Sequence, residues 1–523
     1  MPLPVIINSA GIWRKVGSHL DQCGLGSVFL VGLLLRAWQL GKQGLFLDEA
    51  GSWGAARLPA EDLLRLPLRD PQPVLYYFFL KGTLLFLPET EAGLRAFSVF
   101  CSLTALALIL VLVARWWNSR AAVYAGWLFA LSSFDLYYAQ ETRTYTFLAL
   151  LWLTAYLCWV GALLETPRLF IGWGVALALI GWTHFYGVLI FGFSLCFALI
   201  WWGGQRWSRP ESLPRGQWFS AGVAISLAGG APALLFLWQY RAFQSGATWV
   251  PEARDLALLF SAWSIGLTAV RERFLDSAHL VLPELSNIPL WVWVLVGIIL
   301  SGWTAVVGLW SEWWRSPTRR WSVLLALLLM LGPVAIAFSY SIVFNLRSWA
   351  LKPFLGAAYL FYIWGGIGLS QLSSSFLRRS LAFLILIVSL ASLIPYYTTW
   401  QKTDAALALR HLLASEERPL VILSHAYIGP VAIYYLGSRA DFFGISPDTD
   451  TNFRLFRISF DKSMLGDLFS ADCDTEPLSS ATTVWAYSTA PGRIRQEWTH
   501  WPACVVNKEL WTFENGTWVR LNP

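Results

Sequence analysis

Charge is scarce in this chain of 523 residues. Only 13% of them are Asp, Glu, Lys or Arg, against roughly 25% in a soluble domain. That deficit excludes an ordinary cytosolic enzyme, a disordered chain and a nucleic-acid binder. The six cysteines include no CxxC pair, which argues against zinc ribbons and dithiol redox motifs. The six histidines include no HxxxH pair, which argues against a helix-borne zinc site. Internal repeats and low-complexity tracts are missing too. What is present is apolar and aromatic. Hydrophobic residues make up 56%, Trp alone numbers 32, and mean hydropathy is +0.52. Trp and Tyr favour the membrane–water boundary, where a ring can be half wet. The composition describes a polytopic membrane protein.

The charges are unevenly placed. Residues 1–397 carry 27 Lys and Arg against 18 Asp and Glu, while 398–523 carry 11 against 14. The last 126 residues contain no apolar run long enough to cross a bilayer, so the reading is an all-α membrane domain over 1–397 and a small α/β domain over 398–523. Spanning stretches of roughly 17–25 residues are expected at 24–40, 94–114, 145–164, 185–202, 217–240, 289–310, 321–341, 350–371 and 380–397, with shorter ones at 121–134 and 168–183. The run 73–87 (PVLYYFFLKGTLLFL) is short and contains Lys81. If it crossed alone, every later basic loop would face outward, against the positive-inside rule. It therefore reads as a re-entrant or interface-lying helix. This gives eleven spans, a cytoplasmic N-terminus acting as a signal anchor, and an extracytoplasmic C-terminal domain. A thirteen-span version keeps the same sides. Outward loops are 41–93, 134–145, 241–288 and 342–349.

In the C-terminal part, TDAALALRHLLA (403–414) has helical spacing, and PLVILS (419–424) and TTVWAY (482–487) read as buried strands. ENGTW (514–518) carries the Asn-Gly hairpin signal. Cys473 and Cys504 are either a disulfide or two free thiols.

Chemistry in such a protein belongs in the outer loops, and three of them stand out. The first holds Asp48 and Glu49 among Leu45, Phe46, Leu47 and Trp53. A carboxylate in apolar surroundings at a membrane surface can serve as a base; the plainer reading is a helix N-cap acid or a solvated loop pair. The second, SSFDLYYAQETRTYT (132–146), mixes Asp135, Gln140, Glu141 and Arg143 with Phe134, Tyr137, Tyr138 and Tyr145. Aromatic faces with amides and carboxylates suit a sugar; the alternative is an aromatic belt. The third, IVFNLRSWALKP (342–353), places Arg347 and Lys352 outside, against the general trend. Phosphate is the natural partner of such cations, and snorkelling onto headgroups is the alternative. His184 and Tyr186 (THFYG, 183–187) fall at the outer end between two spans.

Taken in order, these pieces resemble the GT-C superfamily of polytopic glycosyltransferases. The resemblance is nearest to the branch holding protein O-mannosyltransferases and lipid A aminoarabinose transferases. The matching segments are FLDEA (46–50), QPVLYYFFL (72–80), ETEAGLRAFS (89–98), YYAQETRTY (137–145), THFYG (183–187) and NLRSWALKPFL (345–355). They cover essentially 20–400, and their order carries more than any one of them. The resemblance implies an inverting glycosyltransferase that moves a sugar from a polyprenyl-phosphate donor to a hydroxyl of a lipid, glycan or protein acceptor at the outer face of the lipid bilayer. It implies Asp48 as base with Glu49 beside it, Arg347 near the donor phosphate with Lys352 a looser match, and Glu141 with Gln140 and Arg143 in a second acidic loop. Ser348 and Trp349 stand where many relatives have Tyr after the arginine. No cofactor is required by this scheme, and a divalent metal stays open. A transporter or flippase of a lipid-linked sugar is the alternative, and a scaffold with an exported sensor domain a third.

Overall fold

A computed structural model describes residues 19–65, 73–208, 216–239, 250–266, 290–345, 349–398, 405–415, 419–423, 429–447, 453–457, 469–470, 483–487, 505, 509–514 and 517–521. Helices dominate, and each apolar stretch of the sequence coincides with one. They are His19–Ala37, Glu91–Leu108, Ser119–Ala130, Tyr145–Leu164, Leu169–Gly181, Gly187–Ser208, Gly216–Gln239, Leu290–Gly297 continuing into Trp303–Arg315, Pro317–Val343, Leu355–Gln371 and Ser375–Thr398. Among the described residues, seven helices are long and apolar enough to cross a membrane, and Gly24–Ala37 and Leu169–Gly181 are shorter apolar helices. The chain is a multi-pass membrane protein. The awkward run 73–87 forms the helix Leu75–Thr83, nine residues long. At about 1.5 Å per residue it is far shorter than a bilayer core of about 30 Å.

The chain divides into two compact units. One comprises Met1–Trp38, Pro71–Tyr76 and Ala96–Trp400; the other comprises Gln39–Asp70, Tyr77–Arg95 and Gln401–Pro523. The sequence alone suggests one cut at 397/398. The compact units group most of the first outer loop, Gln39–Asp70 and Tyr77–Arg95, with the C-terminal residues.

The first unit has an aromatic core. The Trp159 ring lies 5.2–5.5 Å from those of Phe170, Trp173, Phe197 and Trp201. Elsewhere small residues let helices touch backbone to backbone. A Cβ on Gly308 would sit 2.2 Å from the Trp364 carbonyl oxygen, and one on Gly368 would sit 1.7 Å from that of Thr304. The helices Trp303–Arg315 and Leu355–Gln371 thus meet with no side chain between them, the close packing that small residues allow in membranes. Gly174 and Gly222 do the same for Leu169–Gly181 and Gly216–Gln239, where a Cβ on Gly174 would meet the Gly222 carbonyl oxygen at 2.2 Å.

The second unit carries a seven-stranded sheet. Its strands are β1 (Leu420–Leu423), β2 (Asp441–Pro447), β3 (Phe453–Arg457), β4 (Phe469–Ser470), β5 (Thr483–Tyr487), β6 (Glu509–Glu514) and β7 (Thr517–Arg520). The order is β4-β3-β2-β1-β5-β6-β7. The four middle strands β2, β1, β5 and β6 run parallel, and the flanking pairs are antiparallel. All four β1 residues are buried, as a parallel strand covered on both faces requires. The two apolar segments picked from sequence are β1 and β5, which pair directly. The Asn-Gly signal falls between β6 and β7, where Glu514 opposes Thr517. The 403–414 segment forms the helix Ala405–Ser415. Cys473 and Cys504 lie outside the described residues.

Because a Cβ at position 308 has no room, Gly308→Val should destabilise the protein by at least about 1–3 kcal/mol. Thermal melting in detergent reads this out, and an unchanged midpoint would refute the backbone contact.

Candidate active site

In the second unit, Asp48 and Glu49 occupy the first turn of the helix Leu47–Arg57, where the helix dipole favours carboxylates. Neighbours in a helix point about 100° apart, and the two acids part company accordingly. Glu49 is fully buried and meets the Arg95 guanidinium in a two-pronged ion pair, Nε to Oε1 at 2.8 Å and Nη2 to Oε2 at 2.9 Å. Its Oε2 also accepts the Phe46 N–H at 3.1 Å, closing a capping box. Arg95 spends its remaining donors on the carbonyls of Leu40, Gln43 and Gly44, at 2.9, 2.9 and 3.0 Å. One guanidinium thus pins the whole approach to the helix. Asp48 is half-buried on another side.

Three further contacts frame this segment. Lys81 donates to the carbonyls of Ala56 and Leu58 at 3.2 and 2.8 Å, capping the C-terminal end of the same helix. Tyr435, on the helix Gly429–Leu436, accepts the Leu45 N–H at 2.7 Å and donates to Glu91 at 3.3 Å. Arg410 pairs with Glu91 as well. The loop bearing Asp48 is therefore braced by the C-terminal residues of its own unit.

In the first unit, the second loop becomes the short helix Ser133–Ala139 and a turn leading to Tyr145–Leu164. Asp135 is fully buried and binds Arg36, also fully buried, at 2.5 Å. Ser102 donates to the same carboxylate at 2.7 Å and Tyr359 donates to its other oxygen. Gln140 is buried; its amide nitrogen donates to the carbonyls of Arg36 and Trp38 at 3.0 and 2.9 Å, and its amide oxygen accepts from Tyr396 at 2.8 Å. It closes off the end of the first long helix. Glu141 is buried next to it.

Beyond this turn a cationic cluster forms. The Tyr145 ring has the Lys352 ammonium 5.1 Å and the Arg143 guanidinium carbon 5.9 Å from its centroid, both within cation–π range. The His184 ring lies 5.6 Å from that of Tyr145. Thr144 ties the two segments together by donating to the Thr183 carbonyl at 3.0 Å. Tyr186 packs edge-on against Phe354 at 5.4 Å, and Phe354 meets Trp349 at 5.3 Å. The cations are half-buried, while Tyr145, His184 and Tyr186 are buried. No acid lies in the first turn of Tyr145–Leu164, so the positive end of that helix adds to the local field.

Burial, then Arg143, then Lys352, lower the His184 pKa to about 3. The imidazole is therefore neutral at any physiological pH. Its Nδ1 accepts the Tyr186 N–H at 3.1 Å, which leaves the ring proton on Nε2. The cluster thus offers two cations and a neutral donor, a combination suited to an anion that also presents an acceptor.

Of the residues singled out from sequence, Arg143, Tyr145, His184, Tyr186 and Lys352 come together here. Gln140 and Glu141 stand one turn away, and Asp48 and Glu49 belong to the other unit. Arg347 lies outside the described residues. Arg36, Tyr359 and Tyr396 were not anticipated. An arginine near the end of an apolar span was the available signal for the first, since such a charge needs a partner. Among the described residues, no group of three or more His, Cys, Asp or Glu side chains is placed to hold a metal ion.

Comparison with solved structures places the fold. The chain is similar to the lipid A aminoarabinose transferase ArnT from Cupriavidus metallidurans in the apo state. The TM-score is 0.50 at 12% identity, covering 82% of this chain and 86% of that one. The same protein bound to undecaprenyl phosphate matches at TM-score 0.50 and 14% identity, covering 80% and 86%. The oligosaccharyltransferase AglB from Archaeoglobus fulgidus, in complex with an inhibitory peptide and a dolichol-phosphate, matches at TM-score 0.48 and 14% identity, over 80% of this chain and 63% of that one. No family model and no curated protein matches the chain. The chain shares the fold of the ArnT structures.

A neutral, buried His184 makes a pH prediction. Between about pH 3 and 6.5 the unfolded chain takes up a proton that the folded chain refuses, so acidification costs stability in that window and nothing above it. His184→Gln removes this term. The stability difference between variant and wild type should shift in the variant's favour as pH falls from 6.5, and parallel pH profiles would show that the histidine titrates normally.

Proposed function

We propose that the protein is a glycosyltransferase that moves a sugar from a polyprenyl-phosphate donor to an acceptor hydroxyl at the outer membrane face. The observation that carries this reading is the convergence of Arg143 and Lys352 on Tyr145 beside a neutral His184. Two cations over an aromatic floor, in a membrane protein, suit a lipid phosphate better than any neutral ligand. The shared fold with ArnT, solved with undecaprenyl phosphate, supports the same ligand class. In this reading eleven helices span the bilayer, the N-terminus is cytoplasmic, and the unit bearing Asp48 is extracytoplasmic.

The step is a single displacement. The acceptor oxygen attacks the anomeric carbon as Asp48 takes its proton, and the bond from that carbon to the phosphate oxygen breaks. The polyprenyl phosphate leaves with the electron pair, so negative charge grows on it. Arg347, Lys352 and Arg143 stabilise that charge. One displacement inverts the anomeric centre and needs no second nucleophile. Glu49, held by Arg95, positions Asp48 without touching substrate. Tyr145 and Tyr186 supply apolar faces and Gln140 and Glu141 hold the turn that presents them. No step requires a divalent ion.

Asp48→Asn should abolish transfer and leave the melting midpoint unchanged; full activity in that variant would remove the base. Mass spectrometry of co-purified lipids tests the donor site. A polyprenyl-phosphate sugar should accompany the wild type and be depleted in Arg347→Ala and Lys352→Ala. Equal lipid in all three would move the phosphate elsewhere.

A further inference from the structure

At the far end of the first unit, two membrane-spanning helices, Leu295–Arg315 and Pro317–Val343, are joined at Ser316. Three arginines gather at this joint, Arg315, Arg319 and Arg320, against one acid, Glu312. Glu312 is buried and takes two of them, Arg315 at 2.8 Å and Arg319 at 2.6 Å. Arg319 also donates to the Trp116 carbonyl at 2.6 Å and lies over the Trp117 ring. Both cations are thus accounted for.

Arg320 is different. Its Nε donates to the Trp313 carbonyl at 3.0 Å, and its guanidinium carbon lies 5.9 Å and 5.7 Å from the ring centroids of Trp313 and Trp314. Among the described residues no carboxylate pairs with it. It also sits in the first turn of Pro317–Val343, a turn without acids. A cation at the positive end of a helix is unfavourable unless an anion joins it. The two indoles fix the guanidinium plane while its outer N–H groups stay available, the fork geometry that binds phosphate with two parallel hydrogen bonds.

An apolar track leads to this cation. Trp303, Val306, Trp310 and Trp314 are exposed by 42%, 61%, 65% and 60% and recur at spacings of three and four along one helix, so they line a single face. Trp310 and Trp314 meet edge to face at 5.6 Å. The track lies on a spanning helix and ends at the interface, where indole rings sit at headgroup depth. A chain-bearing phosphate matches both parts at once.

We propose that Arg320, Trp313 and Trp314 form a binding site for an anionic phospholipid, with its phosphate on Arg320 and an acyl chain along Trp314, Trp310 and Val306. The site is separate from the cationic cluster around Tyr145. The helix Pro317–Val343 puts roughly 35 Å between Arg320 and its far end at Val343, the end that leads toward Lys352.

Native mass spectrometry of the purified protein, titrated with phosphatidylglycerol and with phosphatidylcholine, tests it. The first phosphatidylglycerol should bind wild type about tenfold more tightly than phosphatidylcholine does, and Arg320→Gln should reduce that preference to near unity with phosphatidylcholine binding unchanged. Arg315→Gln, a loss of the same charge at the same end, should keep the preference and so controls for net charge and folding. Equal binding of the two lipids to wild type would overturn the proposal. So would a preference that survives Arg320→Gln or vanishes equally in Arg315→Gln. Displacement of phosphatidylglycerol by millimolar inorganic phosphate would assign the site to free phosphate and overturn the lipid.

Discussion

The membrane unit depends on one buried ion pair. Isolated in low dielectric, Arg36 and Asp135 would each carry a desolvation cost of several kcal/mol. They persist because nothing on either is left over. Arg36 reaches Ser102, the Gly32 and Ala130 carbonyls, and the face of Phe129 besides its acid. Asp135 receives Ser102 and Tyr359. Five helices therefore meet at two side chains, and the helix holding Asp135 runs on into the turn carrying Gln140, Glu141 and Arg143. A hydrophobic substitute could match the stability of such a pair, but it would not specify which residue of each helix faces the centre.

The second unit repeats the device with a different outcome. Arg95 and Glu49 form another fully buried pair, and their leftover hydrogen bonds go to the loop's own backbone. The acid that the sequence presents as half of a reactive pair is thereby committed to structure, while Asp48 is left half-buried beside it. Two adjacent carboxylates with separate duties need no shared metal and no shared proton. In each unit, then, an arginine closed around an acid sets the position of the residues proposed to meet substrate.

Much of this was legible in the sequence. Period and apolarity located the long apolar helices among the described residues, and β1 and β5 showed as short apolar runs because central parallel strands are buried on both faces. The cations Arg143 and Lys352, with Tyr145 and His184, were visible as polar residues crowded at the ends of spans. Their meeting point was not, since 209 positions separate Arg143 from Lys352 and only packing closes that distance. Gln140 shows the same limit from the other side. Its residue type suits a sugar hydroxyl, yet its amide is taken up by the carbonyls of Arg36 and Trp38 and by Tyr396. The grouping of the first outer loop with the C-terminal sheet was also hidden, because it rests on contacts such as Tyr435 to Leu45, 390 positions apart.

The glycine contacts carry a consequence for genetics. At Gly308, Gly368, Gly174 and Gly222 the neighbouring backbone occupies the space a side chain would need, so even alanine is excluded. A saturation screen scored by loss of product would therefore register these four positions as strongly as Asp48. Such a map would place bright signals on helix crossings that have no part in the proposed chemistry. Protein abundance, scored alongside activity, would tell the two kinds of position apart.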